Sequence, residues 1–166
     1  EDSQQHYYIY DEISNTIKNK KKIKGFENYK ILDPTMLQYN DTFFIFCNLK
    51  NQPMENLYIF WSNDINNIFK PHKLNPVVTD IFSSRMAGNL IVENNILYRL
   101  GQNNSEGYGD GITINQIDVL SPTLYVESYF NKIKFEKTYG PHTFNIYQNL
   151  CISDSYEIKF NLLSFL

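Results

Sequence analysis

A carboxylate, a guanidinium and an imidazole stand at matching places in this chain. They are Asp33 in LDPT, Arg85 in SRMAG and His142 in GPHT, each just where an inner strand is expected to begin. Taken singly, each has a plain structural reading. Asp33 would cap the turn before Pro34, Arg85 would pair with a surface acid, and His142 would be a hydrogen-bonded core histidine. Their equivalent positions reverse that preference, because repeated strands arranged about one axis bring such positions to a common pocket. Asp33 is then the candidate acid, with Arg85 and His142 as ligand-binding groups.

A second cluster lies in YRLGQNNSEGYGDG, from Tyr98 to Gly111. Arg99 and Gln102 suit forked hydrogen bonds to sugar hydroxyls, carboxylates or phosphates, and Tyr108 suits the apolar face of a sugar. The glycines let the loop lie close to a ligand. A bland turn would use the glycines but would not explain an arginine on an otherwise apolar strand. The spacing is not a GxGxxG nucleotide fingerprint and no Walker loop is present.

The elements that must position these groups come from a repeat. LQYNDTFFIF (37–46), LIVENNILYR (90–99) and FNIYQNLCIS (144–153) each read as strand, Asn-containing turn, strand, the signature of a β-hairpin. A unit returning at about 53 to 55 residues cannot bury its own apolar face and argues for a β-propeller or similar array. YYIYDEI (7–13), YIFWSNDI (58–65) and ITINQIDVL (112–120) resemble one another and read as the third strand of a four-stranded blade. The expectation is two complete blades, about 29–75 and 85–127, and two partial ones: the chain begins in mid-blade and ends after a third strand at 156–165. Residues 1–166 form one domain in this reading.

Composition agrees. Aromatic content is 16%, with 13 Tyr and 12 Phe, which favours strands. No apolar run is long enough for a membrane span. The net charge of −3 lends nothing to nucleic-acid binding, and the basic run Lys18 to Lys24 reads as a solvated connection between strands. Cys47 and Cys151 lack CxxC spacing and read as buried small hydrophobes rather than a disulfide or metal pair. No cofactor or metal motif is found. The triplets Asn40-Asp41-Thr42 and Asn103-Asn104-Ser105 match a glycosylation pattern that arises by chance in so Asn-rich a chain.

LYIFWSNDINNIFKPHKLNPVV, SRMAGNLIVENNILYRLGQNNSEGYGDGITINQIDVL, YVE and GPHT together resemble the N-terminal propeller-like domain of glucosamine inositolphosphorylceramide transferases and its bacterial relatives. The resemblance rests on Ser62-Asn63, Lys70-Pro71-His72, Asn75-Pro76, Arg85 with Gly88, Tyr98-Arg99 with Gln102, Tyr108-Gly109, Glu127 and His142. It implies a branch of the five-bladed propellers that include sugar-cleaving and sugar-transferring enzymes, in which one inner-strand acid protonates the leaving oxygen and another attacks or activates water. It also implies further blades N-terminal to this chain, of whose acidic motif Glu1 would be a remnant. Glu127, at the end of an outer strand, stands too far from the axis to partner Asp33.

The reading is thus an all-β chain, the C-terminal part of a five-bladed β-propeller, recognising a sugar or glycoconjugate in a glycan-building or glycan-modifying system. Two rivals stand beside it: half of a split glycoside hydrolase or glycosyltransferase, and a non-catalytic remnant needing a partner. Aromatic faces at the open ends imply association with an N-terminal propeller half or a second copy, the more so because the apolar tail 161–166 has no later strand to cover it.

Overall fold

The computed structural model describes residues 4–107, 109–134, 140–148 and 150–155. Its regular elements are strands: β1 (His6–Asp11), β2 (Thr16–Lys22), β3 (Ile31–Tyr39), β4 (Thr42–Leu49), β5 (Asn56–Ser62), β6 (Lys70–Pro71), β7 (Val78–Thr79), β8 (Arg85–Met86), β9 (Ile91–Glu93), β10 (Ile96–Asn103), β11 (Gly111–Leu120), β12 (Tyr125–Ile133), β13 (Phe144–Tyr147) and β14 (Leu150–Ser153). The expected strand at 156–165 and the tail 161–166 lie outside the described residues.

Short turns decide where the chain reverses. Asn40 and Asp41 (φ 47° and 56°) join β3 to β4, and Asn94 and Asn95 (φ 51° and 63°) join β9 to β10. Both central residues of each turn are left-handed, as a two-residue type I′ hairpin requires, and Asn and Asp tolerate that conformation better than other side chains with a Cβ. Gln148 (φ 52°) opens the corresponding turn between β13 and β14.

The strands assemble into two larger sheets and two hairpins, antiparallel throughout. The first sheet has the order β3-β4-β5-β6, with β7 also against β5; the second has the order β12-β11-β10-β8, with β9 also against β10. β1 pairs with β2 and β13 with β14. The sheets run somewhat beyond the expected units, to Thr79 and to Ile133. The basic run proves not to be a connection. Most of it belongs to β2, whose seven residues are all exposed; with neither face buried, its sequence carries no alternation, and the backbone ladder to β1 makes it a strand.

Central strands here are apolar on both sides because both sides are covered. On β4, Phe44 and Phe46 point to one face and Ile45 and Cys47 to the other, all buried. The first pair joins Leu57 and Ile59 of the same sheet with Met86, Leu97, Ile117 and Tyr125 of the second in one core between the sheets. The second pair joins Ile23, Phe26, Phe60 and Phe69 on the far side of the first sheet. Beyond the second sheet, Ala87, Leu100 and Ile112 receive Phe144 of β13. Hairpin, sheet, sheet and hairpin therefore stand in series. Both cysteines are free; Cys47 is buried as expected, whereas Cys151 is exposed, because β14 has an uncovered face.

Side-chain amides finish the ladders that short strands leave open. Asn48 donates from Nδ2 to Ser84 O (3.0 Å) and to Asn56 O (2.8 Å), and its Oδ1 accepts from Met86 N (3.0 Å), so a carboxamide of the first sheet serves as a β partner for the two-residue β8. Asn75 does the same for Ile59, accepting from its N (2.8 Å) and donating to its O (2.7 Å). A buried backbone edge without such partners would be costly.

Candidate functional site

Asp33 and Arg85 are brought together. Arg85 Nε donates to Asp33 Oδ2 at 2.9 Å, and its Nη1 lies 3.3 Å from Met54 Sδ. The pair joins edge strand β3 of one sheet to edge strand β8 of the next. Asp33 occupies an irregularity: the β3–β4 register shifts between Leu32 and Thr35, and Asp33 takes φ 48° just before Pro34. A bulge of this kind re-aims a side chain, and a left-handed non-glycine residue within a strand is a local strain that bulges at sites often hold. The aspartate side chain remains 39% exposed, so the pair is open to a ligand.

Gln102 stands directly opposite Arg85 in the β10–β8 register and is buried. Its Nε2 donates to Met86 O at 2.9 Å, while its buried Oε1 has no hydrogen-bond partner among the described residues. Gly101 beside it permits close approach; a Cβ there would sit 2.1 Å from Ser83 O. The loop after β10 is fastened by Asp110, which accepts from Asn103 Nδ2 (3.0 Å), Lys132 Nζ (2.6 Å) and Lys134 Nζ (3.1 Å). The Lys132 contact, with Lys134 adding to it, holds the Asp110 carboxyl below the usual carboxylate range. Tyr108 lies outside the described residues.

His142 belongs to the same end of the molecule through two further contacts. Gly109 lies so close to Gly140 that a Cβ would come within 2.4 Å of its Cα, and Phe144 N donates to Ala87 O at 2.7 Å. His142 Nδ1 is 2.9 Å from Asp154 Oδ2, and Asp154 Oδ1 accepts from the backbone N of His142 (2.9 Å) and of Thr143 (2.7 Å). Burial works to raise the Asp154 carboxyl, but the bonds from Thr143 and His142 outweigh it and hold it low. Asp154 was not singled out from sequence. The hairpin register Phe144↔Ser153 was the available signal, since it sets the residues flanking β13 and β14 side by side.

Arg99 is placed differently. It shares strand parity with Leu97, which aims it into the space between the sheets, and it has no solvent exposure. Nε and Nη2 donate to Glu127 Oε2 (2.7 Å) and Oε1 (2.6 Å), and Nη1 donates to Ser83 O (2.7 Å). Tyr125 OH adds a third bond to Glu127 at Oε2 (2.5 Å). Burial disfavours the charged guanidinium, but the Glu127 carboxylate overcomes this and pushes its pKa up; burial likewise drives the Tyr125 hydroxyl well above its ordinary value. The fork that sequence reasoning reserved for a ligand is therefore spent on Glu127 and Ser83. Glu127 and Tyr125 also line a cleft of about 420 Å³ with Val77, Val78, Asp80 and Tyr129 among its walls.

One end of the two sheets thus gathers Asp33, Arg85, Gln102 and, on the next hairpin, His142 with Asp154. Among the described residues no group of three or more His, Cys, Asp or Glu could hold a metal ion, and no helix is long and apolar enough to cross a membrane.

Residues 5–149 match the family described as "Glucosamine inositolphosphorylceramide transferase 1, N-terminal". Over 73 residues the chain is 37% identical to glucosamine inositolphosphorylceramide transferase 1 of Arabidopsis thaliana, a stretch covering 43% of this chain and 10% of that protein. No solved structure matches.

Proposed function

This chain belongs to the family of N-terminal domains of glucosamine inositolphosphorylceramide transferase 1, and from that premise we propose that it is a carbohydrate- or glycoconjugate-recognising module in a glycan-building or glycan-modifying system. We read the two sheets as complete blades of a five-bladed β-propeller and the two hairpins as parts of neighbouring blades. What supports this is the series arrangement, in which each unit covers the apolar face of the next.

The observation that carries the functional reading is the Asp33–Arg85 pair at the sheet end shared with Gln102 and His142. Arg85 offers directional donors suited to hydroxyl or phosphate oxygens, and Asp33 an acceptor suited to a hydroxyl or an ammonium. The Arabidopsis relative's name contains both an amino sugar and an inositol phosphate, and this pair complements both. Recognition is favoured over bond cleavage because Asp33 and Asp154 are each engaged by a cationic or imidazole side chain.

Calorimetric titration with glucosamine, N-acetylglucosamine and inositol 1-phosphate tests the reading. Saturable heat with at least one of them, lost when Asp33 and Arg85 are both replaced by alanine, is the expected result. Absence of heat with all three, or binding indifferent to the double replacement, would overturn it.

A further inference from the structure

The cleft against Glu127 lies between β7, the turn at 80–83 and strands β11 and β12. Its volume of about 420 Å³ falls within the range of small-molecule sites, ~300–1,000 Å³. Three features of its walls distinguish it from a mere gap between sheets.

The polar groups are locked. Glu127 is held by both prongs of Arg99 and by Tyr125, which fixes the carboxylate plane while leaving its side chain 10% exposed. Asp80 accepts from Ser83 N (2.5 Å) and Ser83 Oγ (3.1 Å), and Asn115, itself buried, donates from Nδ2 to Thr113 Oγ1 (3.2 Å). A ligand meeting these groups would not have to order them first.

Aromatic surface stands at the mouth. Phe82 and Tyr129 meet with centroids 5.5 Å apart at 52°, and Tyr129 is 56% exposed, so a ring face is presented beside the locked polar groups. Val77, Val78 and Val126 complete an apolar wall.

The charge balance is the third feature. Two carboxylates, Asp80 and Glu127, border the cleft against one guanidinium, Arg99, whose donors are directed at Glu127 and Ser83. An anionic ligand would meet net negative charge and no available cation on these walls.

Fixed acceptors, an aromatic platform and the exclusion of anions describe one ligand chemistry. We propose that this cleft is a second binding site, for a neutral sugar ring whose hydroxyls meet Glu127 and Asp80 and whose apolar face lies on Tyr129. The site does not depend on the Asp33–Arg85 reading and is not part of it.

Chemical-shift mapping of the labelled chain with methyl α-glucoside, methyl α-mannoside, methyl β-galactoside and glucose 6-phosphate tests the proposal. At least one neutral glycoside at millimolar concentration should shift resonances within 77–83 and 125–129, and glucose 6-phosphate should not. Tyr129→Ala, at an exposed position that should fold normally, should weaken that response roughly tenfold, while Asp33→Ala should leave it intact. No response in those segments to any neutral glycoside, an equal response to the phosphate, indifference to Tyr129→Ala, or loss with Asp33→Ala would each overturn it. The last outcome would leave the Asp33–Arg85 site standing, and loss of that site alone would leave this one.

Discussion

Arg99 and Glu127 meet fork to fork between the two sheets, two parallel charge-assisted bonds of 2.7 and 2.6 Å around a guanidinium with no solvent exposure. Removing one partner strands the other's charge in the interior. Glu127→Ala should therefore destabilise the chain by ~3–5 kcal/mol, and the double variant Arg99→Met, Glu127→Leu should recover much of that loss. Urea denaturation of the three proteins checks both statements; a mild single-variant effect would mean that water reaches the pair.

Arg85→Lys keeps the charge but loses the planar guanidinium that addresses Asp33 through Nε. Ligand affinity should fall about tenfold, ~1.4 kcal/mol, more than charge conservation alone would suggest. Calorimetry on the two proteins decides the matter, with equal affinities counting against a directional role for this arginine.

His72 should make stability depend on pH near neutrality. Its Nδ1 accepts from Leu74 N (3.1 Å), which leaves the proton on Nε2 facing Ser121 O (2.9 Å), and burial holds its folded-state pKa below the ordinary 6.5. Above 6.5 the ring is neutral in both folded and unfolded chains, and stability is at its full value. As pH falls below that point the unfolded chain takes up a proton that the folded one resists, so stability declines until the lower folded-state pKa is reached. Melting temperatures from about pH 7.5 down to about 5.5 should fall less in His72→Gln than in the native chain.

Gly109→Ala should separate folding from binding. Gly109 has φ 76°, and a methyl group there would collide with the Gly140 backbone, which cannot swing aside as a side chain would. A cost of roughly 1–3 kcal/mol is expected, together with weaker binding at the end where His142 lies, because the loop at 103–111 and the segment at 140–142 would be driven apart. Thermal melting and calorimetry on one preparation report the two effects separately.

What the sequence made legible was local. The hairpins around Asn40-Asp41 and Asn94-Asn95 could be read because turn chemistry and flanking apolar residues act within a few positions. The nearness of Asp33 and Arg85 could be read because a repeat carries equivalent positions to one end of neighbouring sheets. The role of Arg99 could not be read with it. Its strand parity hinted at the interior, but its partner Glu127 sits two strands away across a β11–β12 ladder with register shifts between Ile114 and Asn115 and between Ile117 and Val119. No local pattern encodes such an offset. β2 escaped for the opposite reason, since a strand with no buried face leaves no apolar trace.

The tight turns at Asn40-Asp41 and Asn94-Asn95 occupy the end of the sheets opposite Asp33, Arg85 and Gln102. Geometry there is dictated by the chain's own reversal. The molecule accordingly has a face that can be handled without disturbing the end that carries Asp33 and Arg85. A dye, a spin label or an inserted peptide tag placed at one of these reversals, with a lengthened linker to respect the type I′ geometry, should report on the chain or tether it to a surface while the opposite end stays open.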